Sequence, residues 1–347
     1  MTDDARAPVV EVRALGKQFQ VPRREAGLRA AFGALFRRQY TTVDAVRELS
    51  FSLAVGERVG FLGPNGAGKT TTLKMLAGLL YPSAGEVTVA GHVPSQRRPE
   101  FLRAISLVMG QKRQLSWDLP AVDTFEFNRV VFDIDARDYR RRLDELVTLL
   151  VVGEVMRRPV RQLSLGERMK CELVAALLHA PRILFLDEPT IGMDVAMQLA
   201  IREFVRRYNV EHGATVILTS HYMEDVAALC PRILVIDGGR LRFDGSIEAL
   251  TRRIRPLRRA SVRAEALPSA EVLAQLGHVI ESAGGRLVLD VEPARVPEVV
   301  QALLALPGAQ DLAVQDAPLE EVMRELFKPG GREADATSKV QQSEPVP

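Results

Sequence analysis

A short glycine-rich segment, GPNGAGKTT, has the residue types needed to hold a phosphate group. Residues 63–70 match the pattern G-x-x-x-x-G-K-[ST] between a strand-like and a helix-like segment, a context that an exposed glycine turn does not explain. Small residues let consecutive N–H groups approach a phosphate, and a helix N-terminus adds partial positive charge. Lys69 can reach the outer phosphates of a nucleotide, and the Thr70 hydroxyl can bind Mg²⁺. The predicted phosphate-binding residues are Gly63, Pro64, Asn65, Gly66, Ala67, Gly68, Lys69, Thr70 and Thr71.

Two adjacent carboxylates end a second apolar segment, ILFLDEP. Asp187 is suited to holding Mg²⁺ through water, and Glu188 to orienting or deprotonating an attacking water. An Asp-Glu-Pro sequence at a strand end could by itself be an ordinary turn. Downstream of a phosphate-binding loop, the pair predicts the second half of the same site.

The segment LSLGERMK predicts a helix N-terminus, and its glycine is not needed for capping the helix. Ser164 suits the N-cap, and Glu167 lies three residues later, as in a capping box. Gly166 falls at the second helical position, where glycine costs roughly 0.5–1 kcal/mol relative to alanine. One interpretation is a helix end that meets a ligand from elsewhere; the other is a well-capped helix and nothing more.

Apolar segments predict the strands that position these residues. RVGFLG leads into the phosphate loop, and RILFLD and TVILTS are typical of buried parallel strands. PVVEVRAL, RELSFSLAVG and GEVTVAG are strand-like, RILVIDGGRLRFDG predicts a hairpin, and residues 112–180 are predicted to be mostly helical. The predicted fold class is α/β: a P-loop NTPase core with an antiparallel β subdomain and a helical insert.

A change of pattern near residue 250 predicts a second domain. Residues 258–316 have the order strand, helix, strand, strand, helix, strand, which suits a small ferredoxin-like α+β domain, and PLEEVMRELF adds a closing helix. The polar tail is predicted to be disordered. The predicted domains are 1–250, with an insertion at 21–39, then 251–328, and a tail at 329–347.

Composition limits the possible classes of protein. A hydrophobic share of 47%, a charged share of 26% and a net charge of +2 are ordinary for a globular chain, and we expect no nucleic-acid partner. The two cysteines, Cys171 and Cys230, predict no disulfide framework. The apolar runs are shorter than the ~20 residues of a membrane-spanning helix, and no signal peptide is expected. If this protein serves a membrane, another chain must cross it.

Over about residues 8–250, the order of the motifs resembles the nucleotide-binding subunit of an ATP-binding cassette (ABC) transporter. These motifs are GPNGAGKTT, Gln111, LSLGE, ILFLDEP, IGMD and LTSH. The resemblance implies ATP and Mg²⁺ as cofactors. It also implies that the signature segment LSLGE, through Ser164 and Gly166, meets the γ-phosphate of ATP held by a second subunit. Leu165 and Glu167 depart from the family's Leu-Ser-Gly-Gly-Gln. We therefore expect Leu165 to keep a negative φ and Glu167 to fold back onto the N-cap.

The resemblance assigns roles to four further residues. It implies that Gln111 contacts Mg²⁺ and links the core to the helical insert, and that His221 acts with Glu188 at the γ-phosphate. Asp194 would cross the dimer interface, and Tyr40 would stack on adenine. The alternatives are a loop glutamine, a structural histidine and an ordinary N-cap, and the insertion at 21–39 blurs the register of the tyrosine.

The resemblance also implies partners: separate permease subunits and a second ATPase subunit, identical or homologous, at the cytoplasmic face of the cell membrane. The overall pattern is most similar to ATPases of exporter-type permeases. The alternatives are a soluble ATPase of the same superfamily and a nucleotide-binding regulator that does not hydrolyse ATP. The basic, amphipathic insertion at 21–39 could lie on a membrane or pack on its own domain, and Trp117 could contact the permease.

Overall fold

The computed structural model describes most of the chain, namely residues 8–22, 40–110, 112, 114–220 and 222–328. Two predicted segments lie outside the described residues: most of the insertion at 21–39 and the tail at 329–347. The predicted site residues Gln111 and His221 also lie outside them.

The chain divides into two compact units, Met1–Asp244 and Gly245–Pro347. The domain boundary predicted near residue 250 falls inside a helix, Ile247–Ile254, that belongs to the second unit. In the residues that the structure describes, the first unit contains two sheets and the second contains one, and each unit has its own hydrophobic core.

The first unit contains both strands and helices. In chain order its elements are β1 (Val10–Pro22), β2 (Tyr40–Leu53), β3 (Arg58–Leu62), α1 (Lys69–Leu76), β4 (Ala84–Val89), α2 (Pro99–Ala104), β5 (Ile105–Met109), α3 (Ala121–Val131), α4 (Ala136–Leu150), α5 (Leu165–Leu177), β6 (Ile183–Asp187), α6 (Val195–His212), β7 (Thr215–Thr219), α7 (Met223–Leu229), β8 (Arg232–Asp237) and β9 (Arg240–Gly245). Two short 3-10 helices, Val155–Arg157 and Val160–Gln162, precede α5.

A six-stranded sheet in the order β5-β6-β7-β3-β8-β9 forms the centre of this unit. The first five strands in that order run parallel, which explains their continuous apolar sequences, because helices cover both faces of such a sheet. The predicted hairpin joins β8 to β9 through Gly238 and Gly239, both with positive φ. The carboxyl ends of β3, β6 and β7 meet at one edge of the sheet.

A three-stranded antiparallel sheet, β2-β1-β4, forms the predicted β subdomain. Its buried side chains share one core with the central sheet and α1, and Phe51 of β2 packs edge-on against Phe61 of β3 with ring centroids 5.5 Å apart. This shared core fixes α1, and therefore the loop before it, relative to both sheets.

Helices α3, α4 and α5 lie within the segment that the sequence predicts to be mostly helical. Polar contacts attach α5 and the turn after it to neighbouring elements. The Asn128 side chain of α3 donates to the Ala175 carbonyl of α5 (3.0 Å), and a ring nitrogen of His179, just after α5, lies 2.9 Å from the Ile105 carbonyl oxygen. Among the described helices, none has both the length and the apolar character that a membrane span requires.

The second unit contains, in chain order, α8 (Ile247–Ile254), β10 (Arg258–Arg263), α9 (Ala270–Leu276), β11 (His278–Ala283), β12 (Arg286–Val291), α10 (Val296–Leu304), β13 (Gln310–Asp316) and α11 (Leu319–Leu326). The order of elements matches the prediction for residues 258–316. The sheet is antiparallel with the order β11-β12-β10-β13. Its buried Arg259 pairs with Asp290 (2.9 Å) and with Glu321 of α11 (2.7 Å).

Candidate functional site

The loop at residues 63–68 connects β3 to α1 with backbone angles that favour glycine. Gly63, Gly66 and Gly68 have φ values of 150°, 80° and 107°. A Cβ atom on Gly63 would lie 2.1 Å from the Ile236 carbonyl oxygen, and one on Gly68 would lie 2.5 Å from the Ala45 carbonyl oxygen. The loop therefore packs closely against the backbones of β8 and β2, which favours glycine at both positions.

Lys69 begins α1, and its ammonium group lies over the loop. Its Nζ donates to the carbonyl oxygens of Gly63 (2.6 Å) and Pro64 (3.0 Å). Burial lowers the pKa of Lys69, and the nearby carboxylates of Glu188 and Asp187 partly oppose that shift. A buried cation at a helix N-terminus is suited to an anion.

Thr70, Asp187 and Thr219 form a group of oxygen ligands at the ends of β6 and β7. The Thr70 hydroxyl donates to both carboxylate oxygens of Asp187 (3.1 Å each), across 117 positions of sequence. The Thr219 hydroxyl donates to Oδ1 of Asp187 at 2.6 Å. Hydroxyl and carboxylate oxygens are the ligand types that Mg²⁺ prefers, so these residues fit that ion.

Glu188 lies directly after β6 in a strained backbone conformation, with φ of 55°. Its N–H is bonded to the Thr219 carbonyl (3.0 Å) and hydroxyl (3.2 Å). A Cβ on Gly110 would lie 2.0 Å from the Glu188 carbonyl oxygen, so only glycine allows this approach. Strain of about 1–3 kcal/mol per residue is typical of functional sites.

Thr70, Asp187 and Glu188 border one cavity of about 210 Å³, whose lining also includes Lys74, Met109 and Lys112. The structure therefore brings the phosphate loop and the carboxylate pair together. Within the described part of the chain, the lining residues of this cavity do not include Ser164, Gly166 or Asp194.

The predicted capping box is present at the start of α5. The Glu167 N–H donates to Oγ of Ser164 (3.2 Å), and the Ser164 N–H donates to Oε2 of Glu167 (2.8 Å). The bond from the Ser164 backbone lowers the pKa of Glu167, which keeps its carboxylate charged and folded back. Leu165 is the first residue of the helix and is not among the residues with positive φ, as expected. Ser164 remains exposed at the tip.

Gly166 is buried against α6 of its own chain. A Cβ at this position would lie 2.6 Å from Cγ and 2.7 Å from Cε of Met197. The sequence suggested that this glycine leaves room for a phosphate; packing against Met197 is a second reason, which local sequence does not reveal. The signature tip and the start of α6 therefore form one packed unit.

Asp194 caps α6 and accepts a hydrogen bond from the Met197 N–H (2.8 Å). Tyr40 begins β2 and is 52% exposed, on the strand whose Ala45 approaches the phosphate loop. Sequence reasoning missed Thr219 and Gly110. Thr219 ends the apolar run TVILT, and a polar residue at the end of a buried strand could have identified it.

Comparison with known proteins identifies the family. A family model described as ABC transporter matches residues 46–191. The linearmycin resistance ATP-binding protein LnrL of Bacillus subtilis (strain 168) is 33% identical over 299 residues, which cover 84% of this chain and 96% of that protein. The daunorubicin resistance ATP-binding protein DrrA3 of Streptomyces coeruleorubidus is 34% identical and covers 83% of this chain and 93% of that protein. The chain belongs to the ATP-binding proteins of ABC transporters.

Solved structures show the same fold. An ATP-binding subunit of an ABC transporter superposes with a TM-score of 0.58 at 21% identity, covering 71% of this chain and 92% of that chain. The ATP-binding cassette MJ0796, in a dimeric post-hydrolysis state bound to ADP and Pi, gives a TM-score of 0.57 at 22% identity, covering 68% of this chain and 98% of that chain. The first unit therefore has the P-loop fold of ABC ATPases, and the family identifies the chain as an ATP-binding ATPase.

Proposed function

We propose that this chain binds and hydrolyses MgATP as the motor subunit of an exporter-type ABC transporter. The observation that carries the proposal is the contact between Thr70 and Asp187, with Glu188 next to them in the same cavity. A phosphate loop, an Mg²⁺-type ligand pair and a carboxylate at the same sheet edge are the parts that nucleotide hydrolysis requires.

In this proposal the loop amides and Lys69 hold the β- and γ-phosphates. Thr70, Asp187 and Gln111 are the residues that would hold Mg²⁺, which neutralises phosphate charge when bound. Tyr40 stacks on the adenine ring. Loop amides and lysine hold the phosphates in one orientation, and positioning of this kind supplies most of the catalysis of phosphoryl transfer.

Glu188 is the proposed general base. Its place beside Asp187, on a backbone held by Thr219 and Gly110, directs it to the cavity at the strand ends. There it orients the attacking water and accepts its proton. His221, which follows Ser220 in the sequence, is proposed to contact the γ-phosphate.

We propose that a second ATPase subunit, identical or homologous, completes each site head to tail. The start of α5 presents N–H groups and the Ser164 hydroxyl, and a helix N-terminus favours an anion. The capping box supports this role, because it keeps the Glu167 carboxylate on the N-cap N–H. Gly166 lets the start of α5 pack closely against α6. Asp194 lies on the segment that would cross the interface between the two ATPase subunits.

Transport would be carried out with separate membrane-spanning permease subunits, and the chain would act at the cytoplasmic face of the membrane. Export is proposed because relatives are named for it, including the Nod factor export ATP-binding protein I of Ralstonia nicotianae, 32% identical over 84% of this chain. Trp117, Phe127 and Val130 of the helical segment are 40%, 65% and 66% exposed, as a surface that meets a permease requires.

We infer that the second unit is a ferredoxin-like accessory domain that starts between residues 245 and 250. Its strand order and the positions of α9 and α10 between strands support this assignment.

The test is Mg²⁺-dependent ATPase activity of the purified chain, alone and with the permease that co-purifies with it. Glu188→Gln should retain ATP binding, lose turnover and accumulate ATP-bound dimers on size-exclusion chromatography with light scattering. Lys69→Ala should lose ATP binding. ATP binding without turnover, even with the permease present, would instead indicate the non-hydrolysing regulator.

A further inference from the structure

A carboxylate that the proposed mechanism does not use, Asp225 on α7, is fully buried, with an exposed fraction of 0%. It accepts hydrogen bonds from the hydroxyl groups of Thr190 and Ser220, the latter at 2.9 Å, and from Nε of Arg202. The three donors belong to three separate segments: the residues after Glu188, the loop after β7, and α6.

The partners of Asp225 are buried as well. Thr190 is 2% exposed, Ser220 is 3% exposed, and the Arg202 side chain is 11% exposed. A buried ion pair contributes little net stability on average, because desolvation offsets the attraction. A fully satisfied buried network does fix the relative positions of the segments that it joins. We therefore expect Asp225 to fix the relative positions of these three segments more than to raise the free energy of unfolding.

The Thr190 side of this network leads to Glu188. A turn follows Glu188, with the Ile191 N–H directed at the Glu188 carbonyl (3.4 Å) and the Met193 N–H at the Thr190 carbonyl (3.2 Å). Thr190 lies in the middle of this turn and is attached to Asp225. The positive φ of Glu188 persists only if its surroundings determine it from both sides. Thr219 holds the preceding side, and Thr190 holds the following side.

The other side of the network leads to α6. Arg202 lies two turns after Asp194, the residue that caps this helix, and it also reaches Glu224 of α7 (3.4 Å). Met197 of the same helix packs against Gly166. Asp225 thus joins the Glu188 turn to the helix that supports the signature tip.

We propose that Asp225 is a positioning residue for ATP hydrolysis. Through Thr190 it holds the turn that keeps Glu188 in its left-handed conformation, and Arg202 fixes Asp225 to α6. This inference rests on the proposed role of Glu188 as the general base. Loss of the Thr190 bond would let the Glu188 carboxylate move, while the phosphate loop, Lys69 and Thr70 stay in place.

The test compares Thr190→Val, which keeps the side-chain volume but removes the hydroxyl, with Thr190→Ser, which keeps the hydroxyl. For Thr190→Val we expect kcat to fall about tenfold or more, because small misplacements of a catalytic group cost this much. The Kd for ATP should stay within about twofold, since the binding groups are untouched. Thr190→Ser should retain kcat near that of the wild type.

A second measurement separates positioning from general damage. Thr190→Val should accumulate ATP-bound dimers, as Glu188→Gln does, because closure remains possible while hydrolysis is slow. Asp225→Asn, which removes the charge opposite Arg202, should give the same trapped dimer. A normal kcat in Thr190→Val, or a reduced kcat together with lost ATP binding or lost dimers, overturns the inference. Wild-type protein without ATPase activity would contradict the proposed function itself.

Discussion

The strained backbone of Glu188 leads to a prediction with an unusual sign: Glu188→Gly should be more stable than Glu188→Ala. Both variants lose the carboxylate and all contacts of the side chain, so they differ only in the Cβ atom. At an ordinary position with negative φ, alanine is favoured over glycine by about 0.4–1 kcal/mol through the unfolded state. At a φ of 55° the Cβ atom is in the unfavourable left-handed region.

The magnitude follows from these two opposing terms. A left-handed conformation costs a residue with a Cβ roughly 1–2 kcal/mol, and the entropic advantage of alanine offsets part of it. The net preference for glycine should be about 0.5–1 kcal/mol. For a folding unit of this size, that difference corresponds to a Tm higher by about 1–4 °C.

The assay is thermal and urea unfolding of both variants at one protein concentration and without nucleotide. Ala200→Gly, at an exposed position inside α6, is the control and should lose about 0.5–1 kcal/mol in the ordinary direction. If Ala200→Gly is destabilising while Glu188→Ala is at least as stable as Glu188→Gly, the backbone at Glu188 is not strained and the reasoning is refuted.

Three further predictions concern the signature tip, a buried carboxylate and the glycine before Gln111. Ser164→Arg should leave ATP binding intact but abolish ATP-driven dimerisation and turnover; normal hydrolysis in this variant would contradict a shared site. Burial raises the pKa of Glu172 above its usual value near 4.5, so the folded state holds this proton more tightly and stability falls as pH rises above that value. Glu172→Gln should therefore gain unfolding free energy relative to wild type as the pH rises above about 4.5, and a difference that does not change from below that pH upward would show that burial does not raise the pKa of Glu172. Gly110→Ala should lower kcat at least about tenfold, because the added Cβ would displace the Glu188 backbone. ATP binding should be retained, since the phosphate loop does not depend on the position of Glu188. Unchanged turnover would disprove the tight approach between Gly110 and Glu188.

Local chemistry made several features predictable. The capping box of Ser164 and Glu167 joins residues three apart, so its geometry depends on few other parts of the fold. The glycine turn at residues 238–239 is determined in the same way. In the second unit, the local sequence patterns predicted the order of six elements, four strands and two helices. The strand β5 and the helix α2 were not predicted, because both are short and directly joined.

The sequence by itself determined which groups are available: a phosphate loop, two carboxylates after a buried strand, and a capped helix tip. The tertiary structure decided which of them meet. Thr70 reaches Asp187 only because β6, β7 and β3 are neighbours in the sheet, an order that no local pattern encodes. Contacts between residues far apart in the sequence depend on how the elements pack. Packing therefore decides the fit of Gly166 to Met197, the approach of Gly110 to Glu188 and the burial of Asp225.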